Sequence, residues 1–405
     1  MSALPPRPVV DSPLPAPSLG SRSLFPTLEA KSFLAHAAIS PASAEVSRAV
    51  TFALEDVAAR GPGSYLRWAG QRERLREELA RFLCTAVGNV ALTRGTTAGI
   101  IDVALASPIR SGDTVVSFHG EFPANIQPWR NAAQLRGASF ELLSSPRGEQ
   151  PRERCLEETE AALKRGARFL TVSAVQFQTG YQMPLADLGE LCRRYDAFFF
   201  VDAIQAAGVI PIRPDEWAAD AIFVGAHKWM LGLEGVGYAM VSERFRDAWQ
   251  PLTTGWTSAE GSELFLFEGP GHLDYELPLK RSADCLEGST PSVLGYAALE
   301  AGLAMIQALG EDRIFSHVQA LHDKWEPLFQ EAGFESLRGS TSQERSGLLS
   351  FLPPAGRSIS EWAAGFREQG VIVSTPDGCL RLAPHYSNHE QETAILAEAL
   401  RVLCL

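Results

Sequence analysis

From Gly88 onward the chain keeps returning to short β-rich runs, several of them almost wholly apolar, at 90–92, 114–118, 139–142, 169–173, 197–202, 221–224 and 237–241. Helical patterns, such as those at 156–165 and 185–195, lie between them. A strand with one wet face alternates apolar and polar residues, and most of these runs do not. The sheet they build must therefore be covered on both faces, and strands alternating with helices make such a sheet mostly parallel. The rhythm restricts the chain to an α/β fold with a mostly parallel seven-stranded sheet.

The rhythm stops near Glu287. Two long helical patterns follow, at 292–309 and 313–332, then strand candidates at 347–352, 371–374 and 379–383, and a closing helix. This predicts a large domain over 31–286 and a smaller α+β C-terminal domain over 287–405, a division that 405 residues easily fill. Residues 1–30 open with MSALPPRPVVDSPLPAPSLG and read as a mobile arm. The apolar run at 32–40, closed by Pro41, is expected to pack on the small domain, and 45–60 and 72–82 carry helical spacing.

A net charge of −12 disfavours a nucleic-acid surface, which needs clustered Lys and Arg. No run approaches the roughly 18 apolar residues of a membrane span. Six scattered cysteines without a CxxC pair suit neither a disulfide framework nor a structural zinc, so no metal site is expected. The N-terminus lacks the apolar stretch of a signal peptide. The expectation is a cytoplasmic protein without nucleic-acid or membrane partners.

In an open parallel sheet, ligands bind where strands end. Phe198-Phe199-Phe200-Val201 delivers Asp202 to the end of a buried strand, where a carboxylate needs a partner. It is either a helix N-cap or the counter-charge of a protonated ring nitrogen. Ile222-Phe223-Val224 runs into a turn presenting His227 and Lys228 ahead of Trp229-Met230-Leu231. Apolar surroundings favour the neutral amine that forms a Schiff base. Asp202 and Lys228 are 26 residues apart, one strand–helix–strand step. Arg94-Gly95-Thr96-Thr97 follows a strand and opens a helix, where free N–H groups and two hydroxyls suit one phosphate. It lacks the glycine fingerprints of dinucleotide and P-loop sites.

Together these motifs resemble the class V aminotransferase group of fold-type I pyridoxal phosphate (PLP) enzymes, which includes cysteine desulfurases and selenocysteine lyases. The resemblance implies PLP as cofactor, held as a Schiff base on Lys228, with Asp202 on its pyridinium and Gln205 on its phenolic oxygen. Thr96, Thr97 and His227 would hold the phosphate. Phe122 takes the place where desulfurases have a histidine stacked on the ring, and Gln176 or Gln178 would reach the ring. Thr290 is similar to the residue that touches the phosphate across a dimer interface, implying a homodimer. Arg381 resembles the arginine for the substrate carboxylate, with Asn125 and His36 as further substrate contacts. The short stretch 370–377 has no cysteine, and Cys379 reads as a buried thiol within a strand, which counts against a protein persulfide.

The expected activity is chemistry at the α-carbon of an amino acid through an external aldimine, with Lys228 as the catalytic base. Aminotransferase-type chemistry stands first and C–S or other β-lyase activity second. Desulfuration and epimerisation are further branches, and a non-catalytic binding protein is the outsider.

Overall fold

The computed structural model describes residues 13–148 and 150–404. Its strands are β1 (Ser32–Phe33), β2 (Val90–Thr93), β3 (Thr114–Phe118), β4 (Ser139–Leu143), β5 (Ala167–Ser173), β6 (Phe198–Asp202), β7 (Ala221–Gly225), β8 (Gly237–Val241), β9 (Glu335–Ser336), β10 (Leu349–Leu352), β11 (Val371–Ile372) and β12 (Leu380–Leu382). The helices are α1 (Ala44–Arg60), α2 (Tyr65–Phe82), α3 (Thr96–Ala106), α4 (Gln127–Arg136), α5 (Pro151–Lys164), α6 (Leu185–Arg194), α7 (Glu243–Arg246), α8 (Val293–Leu309), α9 (Glu311–Glu331), α10 (Ile359–Glu368) and α11 (Glu392–Leu403).

The main sheet has seven strands in the order β2-β8-β7-β6-β5-β3-β4. β8 runs antiparallel to both its neighbours, and the other pairings are parallel. The seven runs are these seven strands, shifted by no more than about two residues at an end. β6 shows why the runs do not alternate. Phe199 and Val201 enter one core while Phe198 and Phe200 enter the core on the opposite face. With both faces covered, each fully buried aromatic contributes about 2–3 kcal/mol of transfer free energy.

The smaller unit combines the antiparallel sheet β12-β10-β9 with the parallel pair β1-β11. Leu34, Trp325, Phe329, Phe351, Phe366 and Leu382 form its core. The segment near Ser32 thus packs on the small unit, and the expected strands there are present, with β9 in addition.

Two elements depart from expectation. α8, placed by sequence in the small domain, buries Leu299, Leu303 and Ile306 in the core of the large sheet. This helix is apolar nearly all round, so it needs cover on more than one side, which the large core supplies. It passes so close to the turn after β7 that a β-carbon at Gly302 would lie 2.2 Å from the Met230 carbonyl oxygen. The N-terminal arm also differs, because residues 13–30 are not a loose tail. Leu24 and Phe25 are buried, and Phe25 packs 6.1 Å from the Tyr386 ring. The Arg22 guanidinium donates to the carbonyls of Leu28, Ala30 and Lys31. The prolines set an extended course, and two apolar side chains anchor it. Residues 1–12 of the expected arm lie outside the described residues. No single described helix is long and apolar enough to cross a membrane.

Candidate active site

The C-terminal ends of β2, β3, β5, β6 and β7 share one edge of the sheet, and the residues singled out by sequence gather there. Asp202 ends β6 at 2% exposure, and its Oδ1 accepts the Ile204 N–H at 3.0 Å. Burial, reinforced by Glu121, pushes its carboxyl up to about 7, against the Ile204 N–H and Lys228. Lys228 sits in the turn after β7 with Nζ 5.8 Å from the Phe122 ring centroid. Burial and Arg381 push its ammonium down to about 8, against Asp202. Arg381 is 4% exposed, with Nε donating to Ser374 Oγ at 3.0 Å and Nη1 to the Phe177 carbonyl at 2.5 Å. Burial pulls its guanidinium down to about 10. None of these three charges is in an ion pair among the described residues.

The lysine turn is fixed from several sides. Ser40 Oγ donates to the Lys228 carbonyl at 2.6 Å, so the 2.8 Å contact from His36 Nδ1 to Ser40 Oγ uses a proton on Nδ1. His385 Nδ1 accepts the Tyr386 N–H at 2.7 Å, which leaves its Nε2–H to donate to the Trp229 carbonyl at 2.9 Å. Burial holds both imidazoles well below the usual range, so they are neutral at pH 7. The Trp229 indole N–H donates to Gln205 Oε1 at 2.9 Å, and Gln205 Nε2 donates to the Ala37 carbonyl at 3.0 Å. One Gln205 N–H remains for a ligand.

α3 begins at Gly95, whose φ of 115° is a conformation that glycine takes without strain, and no side chain caps the helix. Thr96 Oγ1 is buried without a partner, while Thr97 is exposed. A β-carbon at Gly225 would lie 2.9 Å from Thr96 Oγ1 and 3.3 Å from His227 Cε1, so bare backbone separates the two. Burial, with Lys228 nearby, lowers the His227 pKa. Thr290 is exposed and lines a cleft with Thr93, Arg94 and Ser289. Phe122 is 46% exposed with its edge on Phe177, ring centroids 5.2 Å apart, which a core role does not explain.

Several expected contacts are placed elsewhere. Asn125 is fully buried, its Oδ1 accepting from Thr171 Oγ1 at 2.6 Å and its Nδ2 donating to Glu121 at 3.2 Å. Its amide serves the interior rather than a substrate. His36, 1% exposed, packs against Phe33 and His385 behind the lysine turn. Gln176 donates to Glu121, and Gln178 bridges Arg147 and Asp377. Cys379 lies one residue before β12 and is buried, with burial raising its thiol. Glu121, beside Phe122, was given no role from sequence; an acid three residues after a buried strand was its only signal.

A carboxylate without a cation, an amine in a dry turn, an uncapped helix start with an orphan hydroxyl and an exposed ring suit one aromatic aldehyde phosphate. Comparison with known proteins agrees. Residues 33–401 match the family model described as aminotransferase class-V. An uncharacterized aminotransferase of Bacillus subtilis, YcbU, is 25% identical over 92% of this chain and 94% of its own. A probable cysteine desulfurase of Pyrococcus abyssi is 25% identical over 70% of this chain and 68% of its own. Among solved structures, the apo cysteine desulfurase of Thermococcus onnurineus superposes with a TM-score of 0.80 at 21% identity, covering 92% of this chain and 94% of that one. A variant of C-DES with glycine covalently linked to its PLP cofactor gives 0.84 at 21% identity, covering 94% and 99%. The chain belongs to the class V aminotransferase family and is a PLP-dependent enzyme.

Proposed function

We propose that this enzyme takes the α-proton from an amino acid and carries the reaction through to transamination. The carrying observation is that Asp202 and Arg381 are both buried within electrostatic reach of Lys228, with no ion pair among the three or to other described groups. Buried charges are costly unless paired, so a pocket that leaves three unpaired suits a ligand supplying the opposite groups. PLP, when bound, supplies an aldehyde for the substrate amine and an electron sink for the carbon that loses its proton.

The chain's own residues do the rest. Asp202 holds a proton on the ring nitrogen, and the spare N–H of Gln205 reaches the phenolic oxygen. Phe122 covers a ring face. The start of α3, with Thr96, Thr97 and His227, receives the phosphate. Arg381 takes the substrate α-carboxylate in a bidentate fork, which fixes the Cα–H bond relative to the ring. Lys228, lowered to about 8, has a substantial neutral fraction at physiological pH and serves as the base for the α-proton.

The relative named an aminotransferase, which matches over nearly its whole length, supports transamination. A second reading is elimination at a C–S bond, supported by relatives named probable cysteine desulfurases. The stretch 370–377 has no cysteine and Cys379 is buried, so that reading needs no persulfide on the protein. We also place the enzyme as a homodimer. Leu264, Leu266, Phe267, Leu273 and Tyr275 form an exposed apolar segment that a second copy would cover, and this segment follows β8 at the same chain region as Thr290.

The test is to incubate the holoenzyme with a panel of amino acids and an excess of a second keto acid, which accepts the amino group and regenerates the aldehyde. Keto acid formed in proportion to amino acid consumed supports transamination. Sulfide, or pyruvate with ammonia, moves the assignment to the lyase, and inverted stereochemistry alone moves it to an epimerase.

A further inference from the structure

We propose that Glu121 is a positioning residue for the cofactor: an ionised carboxylate that gathers three side chains at the end of β5 and adds a second negative charge beside Asp202. The inference rests on the assignment of Asp202 to the ring nitrogen.

Glu121 is 8% exposed and follows β3. Its Oε1 accepts the Ser173 backbone N–H at 2.7 Å and Gln176 Nε2 at 3.1 Å. Its Oε2 contacts Ser173 Oγ and accepts Asn125 Nδ2 at 3.2 Å. Three of these partners can only donate, and an ionised carboxylate accepts on both oxygens. Ser173 is the β5 residue paired directly with Asp202 in β6, so the anchor of Glu121 and the ring-nitrogen acid stand side by side. Among the described residues, neither acid has a cation in an ion pair with it. The charged groups beyond Asp202 are Lys228 and Arg381, and neither is in an ion pair with either acid. Burial raises the proton affinity of Glu121, and its four donors oppose that rise.

A negative charge here favours positive charge on the cofactor. It raises the proton affinity of the Schiff-base nitrogen and steadies the protonated ring that Asp202 holds. The competing arrangement is a neutral carboxylic acid donating to Ser173 Oγ, which would carry no charge. The two differ in a spectrum.

The experiment is a pH titration of the cofactor's visible band in wild-type and E121Q holoenzyme, each checked for folding by circular dichroism and for bound cofactor. The expected result is a midpoint about one pH unit lower in E121Q, a tenfold loss of proton affinity. An unmoved midpoint in folded, cofactor-loaded E121Q overturns the proposal. If E121Q does not fold, S173A carries the test, because it removes a hydroxyl donor that helps keep the carboxylate ionised. It is expected to move the midpoint down by roughly 0.3 unit, and a midpoint unmoved or raised overturns the proposal. Absence of any visible band in the wild type would defeat the cofactor assignment instead, a separate outcome.

Discussion

Two buried aspartates stand at opposite edges of the same sheet, and they are treated in opposite ways. Asp220, just before β7, is fully buried and fully partnered: its carboxylate accepts the Phe199 N–H at 2.9 Å, Ser242 Oγ at 3.1 Å and Arg244 Nη1 at 2.7 Å. Asp202, at the end of β6, is buried almost as deeply yet has one backbone N–H and no cation. The first satisfies the usual condition for burying a charge. The second violates it, and so do Lys228 and Arg381 nearby. A protein tolerates such a cluster where a ligand completes it, so incomplete pairing marks the working edge of the sheet and complete pairing its structural edge.

The contrast can be broken by substitution. Lys228→Ala should remove the borohydride-bleachable visible band and cut turnover by about a thousandfold or more, the range for loss of a positioned base; a persisting band would refute the assignment. Asp202→Asn should lower turnover by roughly a hundredfold or more, yet leave the unfolding midpoint of the apoprotein unchanged or raised. Asp220→Asn should do the reverse, costing about 1–3 kcal/mol in denaturant unfolding by removing the buried charge that ties Arg244, Ser242 and the Phe199 N–H together, with the visible band intact. If both aspartates behave alike, the distinction between the edges fails.

The same pair separates by pH. The Asp202 carboxyl is raised from its ordinary 3.8 to about 7 in the folded apoprotein. Between those values the folded state holds a proton that the unfolded state has released, so apoprotein stability should fall as pH rises through that window. Unfolding midpoints at pH 5 and pH 8 would show it, and Asp202→Asn should flatten that part of the slope. Smaller effects lie at the mouth. Arg381→Ala should raise KM for the amino acid roughly tenfold to a hundredfold with the band unchanged. Phe122→Ala should weaken cofactor retention by no more than about tenfold, the scale of one ring contact.

Much of this was legible in the chain because the signals were large. A run such as Phe198 to Val201 cannot sit on a wet surface, and a charge at its end must have a purpose. Asp202 and Lys228 could be found that way, and Arg381 only through the resemblance to the family. The side of α8 could not, because a helix apolar on all faces does not say which core it joins. Nor could the fates of His36 and Asn125, since a polar residue near a site can turn toward a ligand or into the protein. In both cases inner partners, Ser40 for one and Glu121 with Thr171 for the other, claim the side chain. The packed arm was hidden for a related reason: two anchoring residues are a weak signal beside many prolines.

The turn that carries Lys228 is held by Ser40, Gln205, Gly302 in its close approach, and His385. These supports span nearly the whole chain, from its opening segment to its last twenty residues or so. Contacts of such long sequence separation form late, because loop closure must precede them. A growing chain therefore has its sheet and its lysine long before the lysine is correctly aimed. Cofactor capture becomes a checkpoint of complete synthesis, and a chain truncated before His385 should fold its sheet while holding the cofactor poorly.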